Sequence, residues 1–267
     1  MACKQLVLAS KKAYFWNMRK VIGALCFVYK LWVGIVFVVT LLFFYPFIFI
    51  TLQKLAWRKY SFPINVMWSF MVRVLTFVHV WYVKRNPLPD GPYLIVSNHT
   101  SYFDIFLMYS ILPKHRFLFL GKSEILSYPL VKTFFKRLNI PVHRNDRVKA
   151  AKAFIQAKKA IESGWSLVIF PEGGIPDNKR PQMIPFKEGA FKLAKSTGIP
   201  IVPLTFLDNY HLFSDPDDLD FAHPGISRVC IHPYISAEDV KNLTEKELEL
   251  RCFETIAGPL RERGLME

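Results

Sequence analysis

Apolar positions fall into two regimes along the chain. Through the first third they are almost continuous: "LWVGIVFVVTLLFFYPFIFITL", Leu31 to Leu52, contains no charged residue. At about 1.5 Å per helical residue such a run is long enough to cross a hydrocarbon layer of about 30 Å. It is too long for the core of a signal peptide and shows no small-residue cleavage site. A second apolar stretch, Phe62 to Val83, carries Arg73 and His79 and is closed by Lys84 and Arg85. A charge at the centre of a span costs about 2.5–3.5 kcal/mol on insertion scales. Lys4, Lys11, Lys12, Arg19, Lys20 and Lys30 precede the first run, and Lys54, Arg58 and Lys59 follow it, so both of its ends are expected on the cytoplasmic face. Two arrangements fit: a helical hairpin that dips into the membrane and returns, with Pro46 as a kink, or two spans with Arg73 shielded against the first helix.

Beyond the turn-rich "NPLPDGP", Asn86 to Pro92, the pattern changes. The runs "YLIVSN", "FLFLGK", "IPVHR", "SLVIFPEG" and "IPIVPLTF" have the length and composition of strands. Between them, "DIFLMYSIL", "YPLVKTFFKRL", "RVKAAKAFIQAKKAIESG" and "GAFKLAKSTG" have helical spacing. Alternation of this kind predicts an α/β domain with a largely parallel central sheet flanked by helices. The expected organisation is a membrane-anchoring helical segment over residues 1–85 and an α/β domain over residues 86–267. The tail after Ser236 reads as one polar, charged helix.

Composition agrees with a membrane-attached soluble domain: 52% of residues are hydrophobic, yet 21% are charged. The formal charge of +14 implies an acidic partner, whether nucleic acid, anionic lipid headgroups or an acidic carrier or substrate. Nucleic acid is disfavoured, because the basic residues gather at the membrane flanks and on one helix, Arg147 to Lys159, without aromatic interleaving. Cys3, Cys26, Cys230 and Cys252 are scattered, which argues against a zinc site or a disulfide framework and for free thiols in a reducing compartment.

In an open parallel sheet, ligands sit beyond the carboxyl ends of the strands. Asn98 and His99 follow the first strand of the α/β domain, Lys122 and Glu124 the second, Arg144 the third, and Glu172, Gly173 and Gly174 the fourth. In "NHTSYFD", His99 and Asp104 are five residues apart, too far around a regular helix to meet. They can meet if His99 precedes the helix start and Thr100 or Ser101 caps it. Asp104 would then hold one ring nitrogen and fix the tautomer, leaving the other to take a proton. A capped helix start beside a core histidine would leave the same spacing. Without a GxSxG elbow or a nearby cysteine, a covalent acyl-enzyme has little support.

The set of motifs has a familiar order. "NHTSYFD" resembles the NHxxxxD motif of the membrane-bound glycerolipid acyltransferases, and "FPEGG" resembles their FPEG motif. "GKSEI" is similar to their Lys-x-Glu-Leu stretch, "IPVHR" to their strand ending in arginine, "PFKEGAFKLA" to their PFKxGxxxLA helix start, and "GIPIVPL" to their proline-containing last motif. Ser101, two after the histidine, resembles the 1-acylglycerol-3-phosphate branch. The sequence departs from the family where Gly174 and Ile175 stand in place of Thr-Arg, removing a cation, with Lys179 and Arg180 just beyond. It departs again at Leu138 and Asn139, where a glycine usually precedes the strand.

The resemblance implies transfer of a fatty acyl group from an acyl carrier protein or coenzyme A thioester to the sn-2 hydroxyl of 1-acylglycerol-3-phosphate, forming phosphatidic acid. No metal or cofactor is implied beyond the thioester co-substrate. His99 would deprotonate the hydroxyl and Asp104 would orient the histidine. Lys122 and Arg144 would bind phosphate, the plainer reading of Arg144 being a surface ion pair with Asp146. Glu172 would hold a glycerol hydroxyl or brace its loop. Gly173 and Gly174 would admit the ligand or merely shape a turn, and Lys187 would support the site or touch phosphate. Another lysophospholipid, or a lyso amino-acid lipid, is the alternative acceptor, and a noncatalytic membrane lipid-binding protein the alternative class. The implied location is the cytoplasmic membrane, with the domain facing the cytoplasm and the basic helix a solvated face or a landing site for acidic acyl carrier protein.

Overall fold

The computed structural model describes residues 2–127, 129–143, 145–176, 182–214 and 222–266, with no side-chain detail for residues 1–17, 19, 129 and 130. Helix α1 (Ala2–Thr51) runs unbroken through Pro46. After a tight turn, α2 (Arg58–Leu75) returns along it. The inward residues of α2, Ser61, Phe62, Asn65, Trp68, Ser69 and Val72, recur at helical spacing, so one stripe of the helix is buried. Trp68 Nε1 donates to Thr40 Oγ1 at 2.9 Å, and the Tyr29 hydroxyl donates to the Thr76 carbonyl at 2.7 Å, tying the two helices at separated points.

The expected second helical segment is shorter than predicted. It ends at Leu75, and Val78–Arg85 forms strand β1. Val78, Val80 and Tyr82 turn inward on alternate positions while His79, Trp81 and Val83 face outward, a period of two that the surrounding apolar run conceals. The sheet therefore begins before the Asn86–Pro92 turn, and the boundary expected at residue 85 assigns one of its strands to the anchor.

There follow β2 (Leu94–Ser97), α3 (Phe103–Ile111), β3 (Phe117–Lys122), α4 (Pro129–Leu138), β4 (Ile140–Val142), α5 (Arg147–Glu162), β5 (Ser166–Ile169), α6 (Gly189–Thr197) and β6 (Ile201–Phe206). Each coincides with a run identified from its period. A short α7 (Asn209–Leu212), strand β7 (Gly225–Ile231), α8 (Ala237–Asn242) and α9 (Glu245–Glu262) complete the chain. The tail is thus two helices, not one. Thr244 caps the second through a reciprocal bond with Glu247, and Leu248, Cys252, Ile256 and Leu260 bury one face of it.

The sheet has the order β1-β7-β6-β2-β5-β3-β4, and every pairing is parallel except β6 with β7. β2, β5 and β6 lie at its centre and are apolar on both faces, as strands covered on both sides must be. Asn98 extends the central ladder past its last pair. Its Nδ2 donates to the Phe206 carbonyl at 2.9 Å and its Oδ1 accepts from the Phe206 N–H at 2.8 Å. An amide side chain standing in for a peptide thus fixes the chain direction one residue before His99.

Candidate active site

The loop from Asn98 to Tyr102 folds around a carboxylate. Asp104, in the first turn of α3, reaches back so that Oδ2 accepts from the backbone N–H groups of Thr100 at 2.7 Å and Ser101 at 2.9 Å. The same oxygen lies 2.9 Å from His99 Nδ1. The carboxylate satisfies helix-start donors that have no partner within the helix. Ser101 shares that task, since its Oγ accepts from the Phe103 N–H and donates to the Phe213 carbonyl. The pair that spacing alone left five residues apart is brought together by this non-helical turn.

Asp104 is fully buried and uses its second oxygen as well: Oδ1 accepts from Asn209 Nδ2 at 2.6 Å. Asn209 Oδ1 in turn accepts from Ser227 Oγ at 2.6 Å. A chain of contacts therefore links the His99 ring through Asp104 and Asn209 to β7, with the last three side chains fully buried. With Asp104 accepting at Nδ1, the imidazole presents Nε2 away from it, free to take a proton. Phe170 stacks on the His99 ring, centroids 4.1 Å apart and planes 17° apart, and fixes its tilt.

Glu172 has both oxygens engaged by backbone. Oε1 accepts from the His99 N–H at 2.8 Å and Oε2 from the Ile184 N–H at 3.2 Å. These two bonds tie the Glu172 loop to the His99 loop and to Ile184. Burial drives its carboxyl pKa up to about 7, against the pull of the two N–H donors, and the nearby Asp104 charge adds to the rise. Gly173 has φ of 87° and donates to the Phe170 carbonyl, a left-handed turn that favours glycine. At Gly174 an added Cβ would lie 2.5 Å from Lys122 Nζ, so the lysine occupies the space that a side chain there would fill. Lys187 is exposed, and its backbone N–H donates to the Pro171 carbonyl at 3.0 Å, fastening the start of α6 to the same loop. Arg144, Lys179 and Arg180 lie outside the described residues.

His99, Asp104, Lys122, Glu172, Gly173 and Gly174 thus converge at the carboxyl ends of β2, β3 and β5. Asn209, Ser227 and Phe170 are additions that the sequence reading missed. Phe170 stood within "FPEGG" but carried no ionisable group. Asn209 and Ser227 come from segments more than a hundred residues beyond the histidine, and no spacing announces them.

An apolar cavity of about 380 Å³ opens beneath this loop, walled by α1, α2, α3 and α4. Tyr102 and Phe103 of the motif itself border it, as do Phe213 beside Ser101 and Phe119 next to Phe170. Its size is that of a small-molecule pocket, and its wall suits a hydrocarbon chain.

A model of the Acyltransferase family matches residues 79–207. The chain is 28% identical over 177 residues to the chloroplastic 1-acyl-sn-glycerol-3-phosphate acyltransferase BAT2 of Brassica napus, covering 66% of this chain and 50% of that protein. It is 29% identical over 157 residues to 1-acyl-sn-glycerol-3-phosphate acyltransferase alpha of Mus musculus, covering 56% of this chain and 52% of that protein. The chain thus spans about half the length of these curated relatives. The crystal structure of the 1-acyl-sn-glycerophosphate acyltransferase PlsC from Thermotoga maritima superposes with a TM-score of 0.72 at 22% identity, covering 92% of this chain and 98% of that one. At that identity the likeness speaks for the fold. The matched segment encloses both the His99–Asp104 turn and the Glu172 loop, so the chain is similar to the Acyltransferase family, and to these 1-acyl-sn-glycerol-3-phosphate acyltransferases, across the residues that form the candidate site.

Proposed function

We propose that this protein moves a fatty acyl group from a thioester to the sn-2 hydroxyl of 1-acylglycerol-3-phosphate, yielding phosphatidic acid. The observation that carries the reading is the His99–Asp104 contact of 2.9 Å in a turn whose Tyr102 and Phe103 border an apolar cavity that the membrane-type helices help to wall.

In this mechanism the acceptor hydroxyl gives its proton to His99 Nε2 as its oxygen attacks the thioester carbonyl. Asp104 stabilises the imidazolium and holds the ring in one tautomer. The tetrahedral intermediate then expels the thiolate, which takes the proton back from His99, leaving the ester and a free thiol. General-base assistance of this kind contributes about 10²–10⁴-fold. Lys122 supplies a point charge for the acceptor phosphate, Arg144 a forked one. The donor is a coenzyme A or acyl carrier protein thioester, and basic side chains of α5 suit the acidic carrier. The acyl chain lies in the cavity, and the protein sits on the cytoplasmic side of the membrane.

The test is acyl transfer by the detergent-purified chain, with labelled thioesters of both kinds offered against a panel of lysolipids, beside His99→Ala. Transfer to lysophosphatidic acid, lost in the variant, is expected. Gly174 and Ile175, standing where the family carries Thr-Arg, favour a second reading in which the acceptor is another lysolipid, and transfer to that lysolipid alone would establish it. A folded sample inactive with every acceptor would overturn both readings in favour of a lipid-binding protein.

A further inference from the structure

The cavity under α1 to α3 is walled mainly by aliphatic and aromatic side chains, but it does not stay apolar. Tyr109, on the same wall as Tyr102, lies seven residues along α3, about 10 Å farther from the His99 turn by helical rise. Around it the lining includes two amides, Asn65 and Asn139. Asn139 is committed, since its Oδ1 accepts from the Phe119 N–H at 2.9 Å and so fastens α4's end to β3. Asn65 is only half committed. Its Nδ2 donates to the Ser61 carbonyl at 2.7 Å, while its Oδ1 is buried without a hydrogen-bond partner among the described residues. The orientation of that amide is not arbitrary, because a carbonyl can only accept and so selects the nitrogen end.

An amide oxygen shut into an apolar wall with no donor is destabilising. Asn65 sits on the buried stripe of α2 between Phe62 and Trp68, positions where an aliphatic side chain would serve the packing. The place is next to Tyr109, which Phe62 contacts at a ring separation of 5.7 Å. Tyr109, which also lines the cavity, would give an entering hydroxyl a second polar neighbour.

We propose that Asn65 forms a hydroxyl-recognition niche at the deep end of the acyl cavity, and that the preferred acyl chain carries a hydroxyl group in its distal half, donating to Asn65 Oδ1. This rests on the acyl-transfer reading for the identity of the chain. A plain alkyl chain would leave the amide oxygen unpaired, whereas a hydroxyalkyl chain loses its water and regains a bond inside the cavity.

The experiment is direct binding to the full chain in detergent. Palmitate and its 10-, 12-, 14- and 16-hydroxy derivatives compete against a fluorescent fatty acid, for the wild type and for Asn65→Leu and Asn65→Ala. At least one hydroxy isomer should bind about tenfold tighter than palmitate to the wild type. That preference should vanish in both variants while palmitate binding persists, which also reports that the cavity has folded. Equal affinity of palmitate and all four isomers for the wild type overturns the proposal, as does a preference that survives in either variant. If a variant binds nothing, the wild-type comparison decides by itself. Hydroxyl-selective binding by a protein that transfers neither acyl group would remove the acyl-transfer reading and leave the niche in place.

Discussion

Asp104 receives hydrogen bonds from one imidazole, two peptide groups and one side-chain amide. A fully buried carboxylate can stay charged only with such company. His99→Ala should lower turnover by about 10²–10⁴-fold with the fold unchanged by circular dichroism. Asn209 acts at one remove. Asn209→Ala leaves Asp104 Oδ1 without its donor, so kcat should fall about tenfold while KM for the acceptor holds, the split expected of a group that positions the base and touches no substrate. A rise in KM with kcat unchanged would put Asn209 in acceptor binding instead. Glu172 makes a separate prediction through pH. Its pKa of about 7 lies above the ordinary 4.5, so between those values the folded state keeps a proton that the unfolded chain has released. The stability contributed by this residue is therefore full at low pH and declines as pH rises toward 7. The loss between pH 5 and pH 8 should be on the order of 2 kcal/mol in denaturant unfolding and should disappear in Glu172→Gln. An unchanged pH dependence in the variant would assign the slope to another group.

At the scale of elements, α2 is the hinge between membrane-type and soluble architecture. One side of its buried stripe meets α1 and the other meets α3, where Ser69 Oγ lies 2.8 Å from Ser110 Oγ. Trp68 packs between them, its ring within 5.8 Å of Phe37 and 5.2 Å of Phe106. Trp68→Ala should cost about 3–5 kcal/mol of stability and enlarge the cavity it borders. The enlarged cavity should shift the preferred thioester toward longer chains in an acyl-length series, and an unmoved preference would place the chain elsewhere. The period of two and the period of 3.6 made β2 to β6 and α3 to α6 legible, because each is bounded by turn residues and buried in a regular way. β1 was not, since its alternation is submerged in an apolar run that begins as a helix. Nor was β7, whose "GISRVCI" offers a short, mixed pattern and gains its place only by pairing with β1 and β6. The site shows the same division. His99, Asp104 and Glu172 are readable because their motifs are local, whereas Asn209 and Ser227 are selected by tertiary contact.

For the molecule as a whole, the question is how α1 meets the membrane. Among the described residues one helix segment, Lys20–Thr51, is long and apolar enough to span, its most apolar 18 residues having a mean hydropathy of 2.7. Yet α1 is held against the rest of the protein from Lys30 to Ile48. Lys30 Nζ donates to Ser214 Oγ, Val33 joins the main core, Phe37 packs on Phe106, and Leu41, Phe44 and Ile48 bury against α2. A helix crossing the bilayer in this arrangement would draw α3 and the charged α/β domain into the hydrocarbon, where unpaired polar groups are costly. The opposite face of α1 carries Leu31, Ile35, Val38, Val39, Leu42 and Phe43, all exposed, and α2 adds Met67, Phe70 and Val74. Such an apolar flank suits a helix pair lying in the interface, an arrangement distinct from both the dipping hairpin and the two spans expected from the sequence. Spin labels placed singly at Leu31, Val38 and Phe47 should therefore report similar, shallow depths in vesicles containing anionic lipid. A spanning helix would instead carry the three labels to progressively different depths, because sixteen residues of helical rise separate the first from the last by about 24 Å. Shallow, equal depths would place the cavity mouth at the headgroup level, where an acyl chain can pass from bilayer to site without crossing water.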